Sequence, residues 1–235
     1  MIWVNIGIIA LAAVALVFYL IEKIKAYSVK SVLIKAFVSA LFMVVAVFSA
    51  YYNGGRVMNI FIILGLLFGL SGDIWLDLKY VYPKDDKIYS YAGFIVFGVG
   101  HILFITGMYL QFFNGAHFLY VLIPILAAIV IAIVNQFLAK PLKLDFKDMK
   151  WIAFAYSITL FALPLCAASL LIVNGWNCTT LLMMFIGGIL FAVSDLVLSG
   201  TYFGEGHEKP IDFILNYLTY YPAQFVIAFS LFFLL

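Results

Sequence analysis

The sequence predicts an all-α fold, a polytopic membrane helical bundle, and three observations predict it. Of 235 residues, 67% are hydrophobic and only 10% charged, with a mean hydropathy of +1.17, far from ordinary globular usage. Eight apolar stretches of about the 20 residues that a bilayer crossing requires follow one another at 2–21, 30–51, 57–78, 89–113, 116–138, 150–173, 178–203 and 212–235. The segments joining them are short and leave no room for a soluble domain, so residues 1–235 read as a single integral membrane domain with eight transmembrane helices.

Each stretch has its own signature. The first lacks a basic n-region and is followed by Lys23 and Lys25, so it reads as a membrane helix with its N-terminus outside and not as a cleaved signal peptide. The second carries Lys35 near its start. In the third, Gly65, Gly69 and Asp73 recur at i+4, with Asp77 one turn further on. The fourth bears Gly93, Gly100 and Gly107 as a small-residue stripe with His101 at its margin. The fifth and sixth are apolar, and Cys166 in the sixth reads, like Cys178, as a helix-packing residue. In the seventh, Gly188, Ala192, Asp195 and Ser199 share a face, and the eighth contains Tyr220, Tyr221 and Gln224. Small residues mark surfaces where membrane helices approach closely, so Asp73 and Asp195 point toward neighbouring helices.

Basic residues set the orientation. With alternating topology, one side holds Lys23, Lys25, Lys30, Lys79, Lys84, Lys87, Lys140, Lys143, Lys147, Lys150 and Lys209, and the other only Arg56. The positive-inside rule then places both termini outside. Setting Asp73 over Asp195 aligns Gly65 with Gly187 and Leu76 with Leu198, which predicts a duplication into two parallel four-helix halves. The same offset brings His101 beside Ala223 and Gln224.

Charged groups inside a bilayer cost several kcal/mol and mark function. At 1.5 Å per residue, Asp73 and Asp195 lie roughly 8 and 12 Å inside the cytoplasmic ends of their helices, and Lys35 and Tyr220 within about 6–12 Å of the same boundary. His101 and Gln224 lie deeper. Together these groups outline a polar cavity in the cytoplasmic half. Asp77, closer to the loop, reads as interfacial, and His117 and His207 as solvated. The net charge of +2 carries no nucleic-acid signal; the loop lysines face anionic lipid heads. Walker, dinucleotide-binding, H-E-x-x-H and G-x-S-x-G motifs are absent. One histidine and two separated carboxylates make a weak ligand set, so no metal and no cofactor are expected. Three function classes stay open on the residues alone: an enzyme using the paired acids, a small proton-coupled carrier, and a non-catalytic lipid-binding or scaffold protein in which the carboxylates are structural.

The motifs Ser71-Gly72-Asp73, Gly93-x3-Phe97-x3-His101, Ser194-Asp195-x2-Leu198 and Tyr221-x-Ala223-Gln224, with Lys35 early in the second helix, resemble the YhhN family of membrane proteins, which includes the lysoplasmalogenases. Ala36, Phe104 and the stretch Thr201-Tyr202-Phe203 depart from the pattern. The resemblance implies hydrolysis of the vinyl ether of a lysoplasmalogen, giving a fatty aldehyde and a glycerophospho-alcohol. Such ethers hydrolyse when the β-carbon is protonated and water captures the resulting oxocarbenium ion. That asks for one protonated carboxyl and one carboxylate, which burial and mutual repulsion can separate, as in glycosidases. On this reading Asp73 and Asp195 are catalytic, and His101 orients one of them or relays protons. Lys35 binds the phosphate of a lysophospholipid, and Tyr220 and Gln224 hold water or the glycerol hydroxyl.

Overall fold

The computed structural model describes residues 2–25, 27–204 and 209–234, and His207 lies outside them. Among the described residues the chain is all helical: α1 Ile2–Lys25, α2 Val29–Tyr52, α3 Val57–Val81, α4 Asp86–Phe112, α5 Leu119–Ala139, α6 Lys150–Asn174, α7 Thr179–Phe203 and α8 Pro210–Ser230. The helices coincide with the eight apolar stretches, because hydropathy and the short polar connections fix them together.

Seven of them, α1 to α7, are long and apolar enough to cross a membrane, which makes this an integral membrane protein. The eighth falls short because Asn216, Tyr217, Tyr220, Tyr221 and Gln224 replace apolar residues along it, yet these same side chains are buried. Thus α8 is polar on the face it turns inward, the reverse of a surface helix.

Local chemistry sets the helix ends. Ser28 caps α2 in a reciprocal box with Ser31: the Ser31 amide donates to Ser28 Oγ at 3.3 Å and the Ser28 amide to Ser31 Oγ at 3.2 Å. Gly175 ends α6 at φ +90°, in the region where a side chain would be strained. Pro210 opens α8 at a position where no backbone donor is needed.

Packing follows a repeated order. Helix α3 lies against α4 and α7 against α8 as the two most intimate pairs; α1 packs on α2 and α5 on α6; α2 meets α3 and α6 meets α7. Between these groups, α2 touches α8 and α4 touches α6. A Cβ on Gly65 would stand 2.9 Å from the Gly100 carbonyl oxygen, and one on Gly187 would stand 3.3 Å from that of Ala223. Backbones come that close only where side chains are missing. The polar end of the bundle gathers the carboxyl ends of α1, α3, α5 and α7 and the amino ends of α2, α4, α6 and α8. There the α5–α6 connection is tied to α7 by the Asp145 amide donating to the Phe203 carbonyl at 2.8 Å. His117 is exposed beside the start of α5.

Candidate functional site

Two carboxylates one turn apart on α3 face the helices around them, and Lys35 of α2 sits between them. Its Nζ lies 3.3 Å from Asp73 Oδ1 and 3.2 Å from Asp77 Oδ1. Asp77 is 4% exposed, which overturns its reading as an interfacial residue. Lys23 and Tyr19 reach over from α1 to cover it. Lys23 Nζ stands 2.9 Å from Asp77 Oδ1, and the Tyr19 hydroxyl donates to Asp77 Oδ2 at 2.7 Å. Lys23 also donates to the Tyr217 hydroxyl of α8 at 2.5 Å. It is 5% exposed, so it is part of this network and not a loop lysine. Burial without partners costs such groups several kcal/mol each; here Lys23 and Asp77 each have an opposite charge and a hydroxyl, and Lys35 has two carboxylates.

Asp73 is held from two further sides. Ser39, one turn beyond Lys35 on α2, donates to Asp73 Oδ2 at 2.6 Å, and Tyr220 of α8 donates to the same oxygen at 2.8 Å. Gln224 Nε2 in turn donates to the Tyr220 hydroxyl at 3.0 Å. Tyr220 and Gln224 therefore support Asp73, and Lys35 is engaged by two carboxylates instead of standing free for a phosphate.

Asp195 has different company. The Tyr156 hydroxyl of α6 donates to its Oδ2, and no cation lies within ion-pair distance among the described residues. Below it, Asn216 of α8 donates to Ser194 O at 2.9 Å and to Ser194 Oγ at 2.8 Å, fixing α7 to α8.

Asp73 and Asp195 come together across a small chamber of about 30 Å³, whose walls include Lys35, Tyr156, Tyr217 and Tyr220. A space of that size holds about one water. His101 is buried, stacked on Tyr156 at 5.5 Å between ring centroids and edge-on to Phe191 at 4.6 Å. Neither ring nitrogen has a hydrogen-bond partner among the described residues, so it reaches the aspartates only through the ring of Tyr156.

The residues that sequence reading missed are Tyr19, Lys23, Ser39, Asp77, Tyr156 and Tyr217. One signal did point to most of them. Tyr19/Lys23, Lys35/Ser39, Asp73/Asp77, Tyr217/Tyr221 and Tyr220/Gln224 are all polar pairs at i,i+4 in apolar helices, and such pairs share one face.

Within 5% of full burial the cluster thus joins two ammonium groups to two carboxylates, with a third carboxyl opposite. An arrangement of this kind offers a charge-compensated base, an acid without counter-charge and room for one water between them. No curated protein and no solved structure matches the chain. The YhhN family pattern matches residues 30–231, from α2 to the end of α8, and so takes in every member of the cluster except Tyr19 and Lys23. With that match over most of its length, the chain belongs to the YhhN family.

Proposed function

We propose that this protein hydrolyses the vinyl ether of a lysoplasmalogen, with Asp195 as proton donor and Asp73 as the base that activates water. The observation that carries the reading is the unequal company of the two acids around one water-sized chamber. Lys35, Ser39 and Tyr220 compensate Asp73 as a carboxylate. Asp195, half-buried, has among the described residues only the Tyr156 hydroxyl and no cation, and a carboxylate without counter-charge away from bulk water is costly, so it is the group that carries the proton.

The steps balance on these two residues. Asp195 gives its proton to the β-carbon, the π electrons form the new C–H bond, and the α-carbon becomes an oxocarbenium ion facing the chamber. Water adds to that carbon and yields a proton to Asp73, giving a hemiacetal. The C–O bond to glycerol then breaks: Asp73 returns its proton to the leaving oxygen, and the hemiacetal hydroxyl returns one to Asp195. Fatty aldehyde and glycerophospho-alcohol leave with both acids restored. Lys35 acts as the counter-ion that keeps Asp73 ionised, and Tyr156 positions Asp195 while His101 holds the Tyr156 ring.

The repeated packing order and the paired glycines support an internal duplication, with α1–α4 and α5–α8 as equivalent halves and all eight helices crossing the membrane. In that correspondence Asp73 matches Asp195, and Lys35 falls within a residue of the match to Tyr156. A cation in one half and a hydroxyl in the other is the difference that makes a base and an acid from two related sites. The lysine-rich end is cytoplasmic on the positive-inside rule.

The test is aldehyde release from a 1-alkenyl-lysophospholipid by purified protein in detergent. Release that falls at least about 100-fold in both Asp73→Asn and Asp195→Asn supports the reading, since general acids and bases contribute 10²–10⁴. A carrier needs a sealed bilayer and would give no product in detergent; absence of product from well-folded protein refutes the hydrolase.

A further inference from the structure

Beside the small polar chamber lies a second, much larger cavity, of about 420 Å³, bounded by α4, α5, α6, α7 and the connection after α5. Its lining is largely hydrocarbon, with Leu138, Leu142, Phe146, Leu160, Phe161 and Phe203 among its walls. The two cavities share Phe94, Tyr156, Asp195, Leu198 and Tyr202. Asp195 is the one carboxyl that lines both; Asp73 and Lys35 line only the small one.

We infer that the larger cavity is the binding site for the single hydrocarbon chain of an amphiphilic lipid, seated so that the first carbons of the chain lie against Asp195. This rests on the hydrolase reading for its reactive bond and deepens it. A vinyl ether is the junction between an alkyl chain and a glycerol oxygen, and its β-carbon is on the chain side of that oxygen. A donor that protonates the β-carbon must therefore stand where the apolar site ends, and the water that attacks the α-carbon must come from the polar side. Asp195 at the shared wall and the water-sized chamber beyond it meet both conditions.

Chain burial then sets selectivity. For monomeric lysolipid taken from water, at roughly 25 cal/mol per Å², each methylene placed in the cavity contributes about a fourfold gain in affinity or in kcat/KM. Ser157 lines the cavity and its hydroxyl bonds only to the Ala153 carbonyl of its own helix, at 2.8 Å. A phenyl group at that position fills space where chain carbons would lie.

Two measurements test the inference. The first compares kcat/KM for a series of 1-alkenyl-lysophospholipids of increasing chain length. Ser157→Phe is expected to move the optimum to shorter chains and to lower the long-to-short ratio on the order of tenfold or more, while Leu126→Phe, on an exposed face of α5, leaves the ratio as in wild type. The second uses wild-type protein and a saturated lysophospholipid carrying a diazirine in its chain, which binds but has no vinyl ether. Crosslinks are expected on peptides containing Leu160, Phe161 and Phe203. Crosslinks there without aldehyde release sink the hydrolase reading and leave the chain site standing. Aldehyde release with crosslinks elsewhere, or with an unchanged chain-length ratio in folded Ser157→Phe, overturns the chain site alone.

Discussion

Asp195 and Asp77 show how little a residue's identity says until its partners are known. Both are aspartates in the lysine-rich half of a helix, but Asp77 is clasped by two lysines and Asp195 by one phenol. If Asp77 serves structure and Asp195 serves chemistry, the two respond differently to substitution. Lys23→Met leaves a buried carboxylate short of one partner and is expected to destabilise the protein by about 3 kcal/mol. The double variant Lys23→Met/Asp77→Leu removes both charges and leaves Lys35 to Asp73 alone, so it is expected to regain most of that loss. Thermal unfolding in detergent reads both; a double variant less stable than the single one contradicts the structural role. For Tyr156→Phe, aldehyde assays are expected to show kcat reduced about tenfold with little change in KM, since the hydroxyl touches the donor and not the lipid.

At the scale of elements, the close pairs α3–α4 and α7–α8 decide where the acids stand. Gly65→Ala puts a methyl 2.4 Å from the Phe104 ring and 2.9 Å from a backbone oxygen, an overpacking expected to cost about 1–3 kcal/mol. Gly7→Ala on α1 meets nothing within 4 Å and serves as the control. A melting temperature unchanged in Gly65→Ala refutes the claim that these glycines set helix spacing. Helix positions were legible because hydropathy marks them without reference to fold; the predicted stretch 57–78 and the helix Val57–Val81 differ only at the polar end. The inward direction of Asp73 and Asp195 was legible too, from small residues at i+4. The cover over Asp77 was not. Its depth along α3 said interface, and only the packing of α1 shows Tyr19 and Lys23 closing over it. Tyr156 was hidden for another reason: among 15 tyrosines, most suited to a membrane boundary, nothing in one sequence distinguishes the one that meets a carboxyl.

For the whole molecule, the arrangement is a membrane bundle whose polar groups are drawn to one end and inward, leaving hydrocarbon on the outside and in the large cavity. If the positive-inside rule holds for the asymmetry of lysines between the two ends, single cysteines at positions 84 and 147 are expected to react only with reagents that cross the membrane, and one at position 114 with impermeant reagents from outside. External labelling at 84 would reverse the orientation. The proposed hydrolysis makes one demand that no binding protein or carrier shares: a proton from solvent, passed on this proposal through Asp195, must end on the carbon next to the new carbonyl. Purified protein in detergent, given a 1-alkenyl-lysophospholipid in D₂O and the products trapped as they form, is therefore expected to release fatty aldehyde bearing one deuterium at carbon 2, and Asp195→Asn to release little or none. Aldehyde formed without that deuterium, or formed at equal rate by Asp195→Asn, would contradict the account.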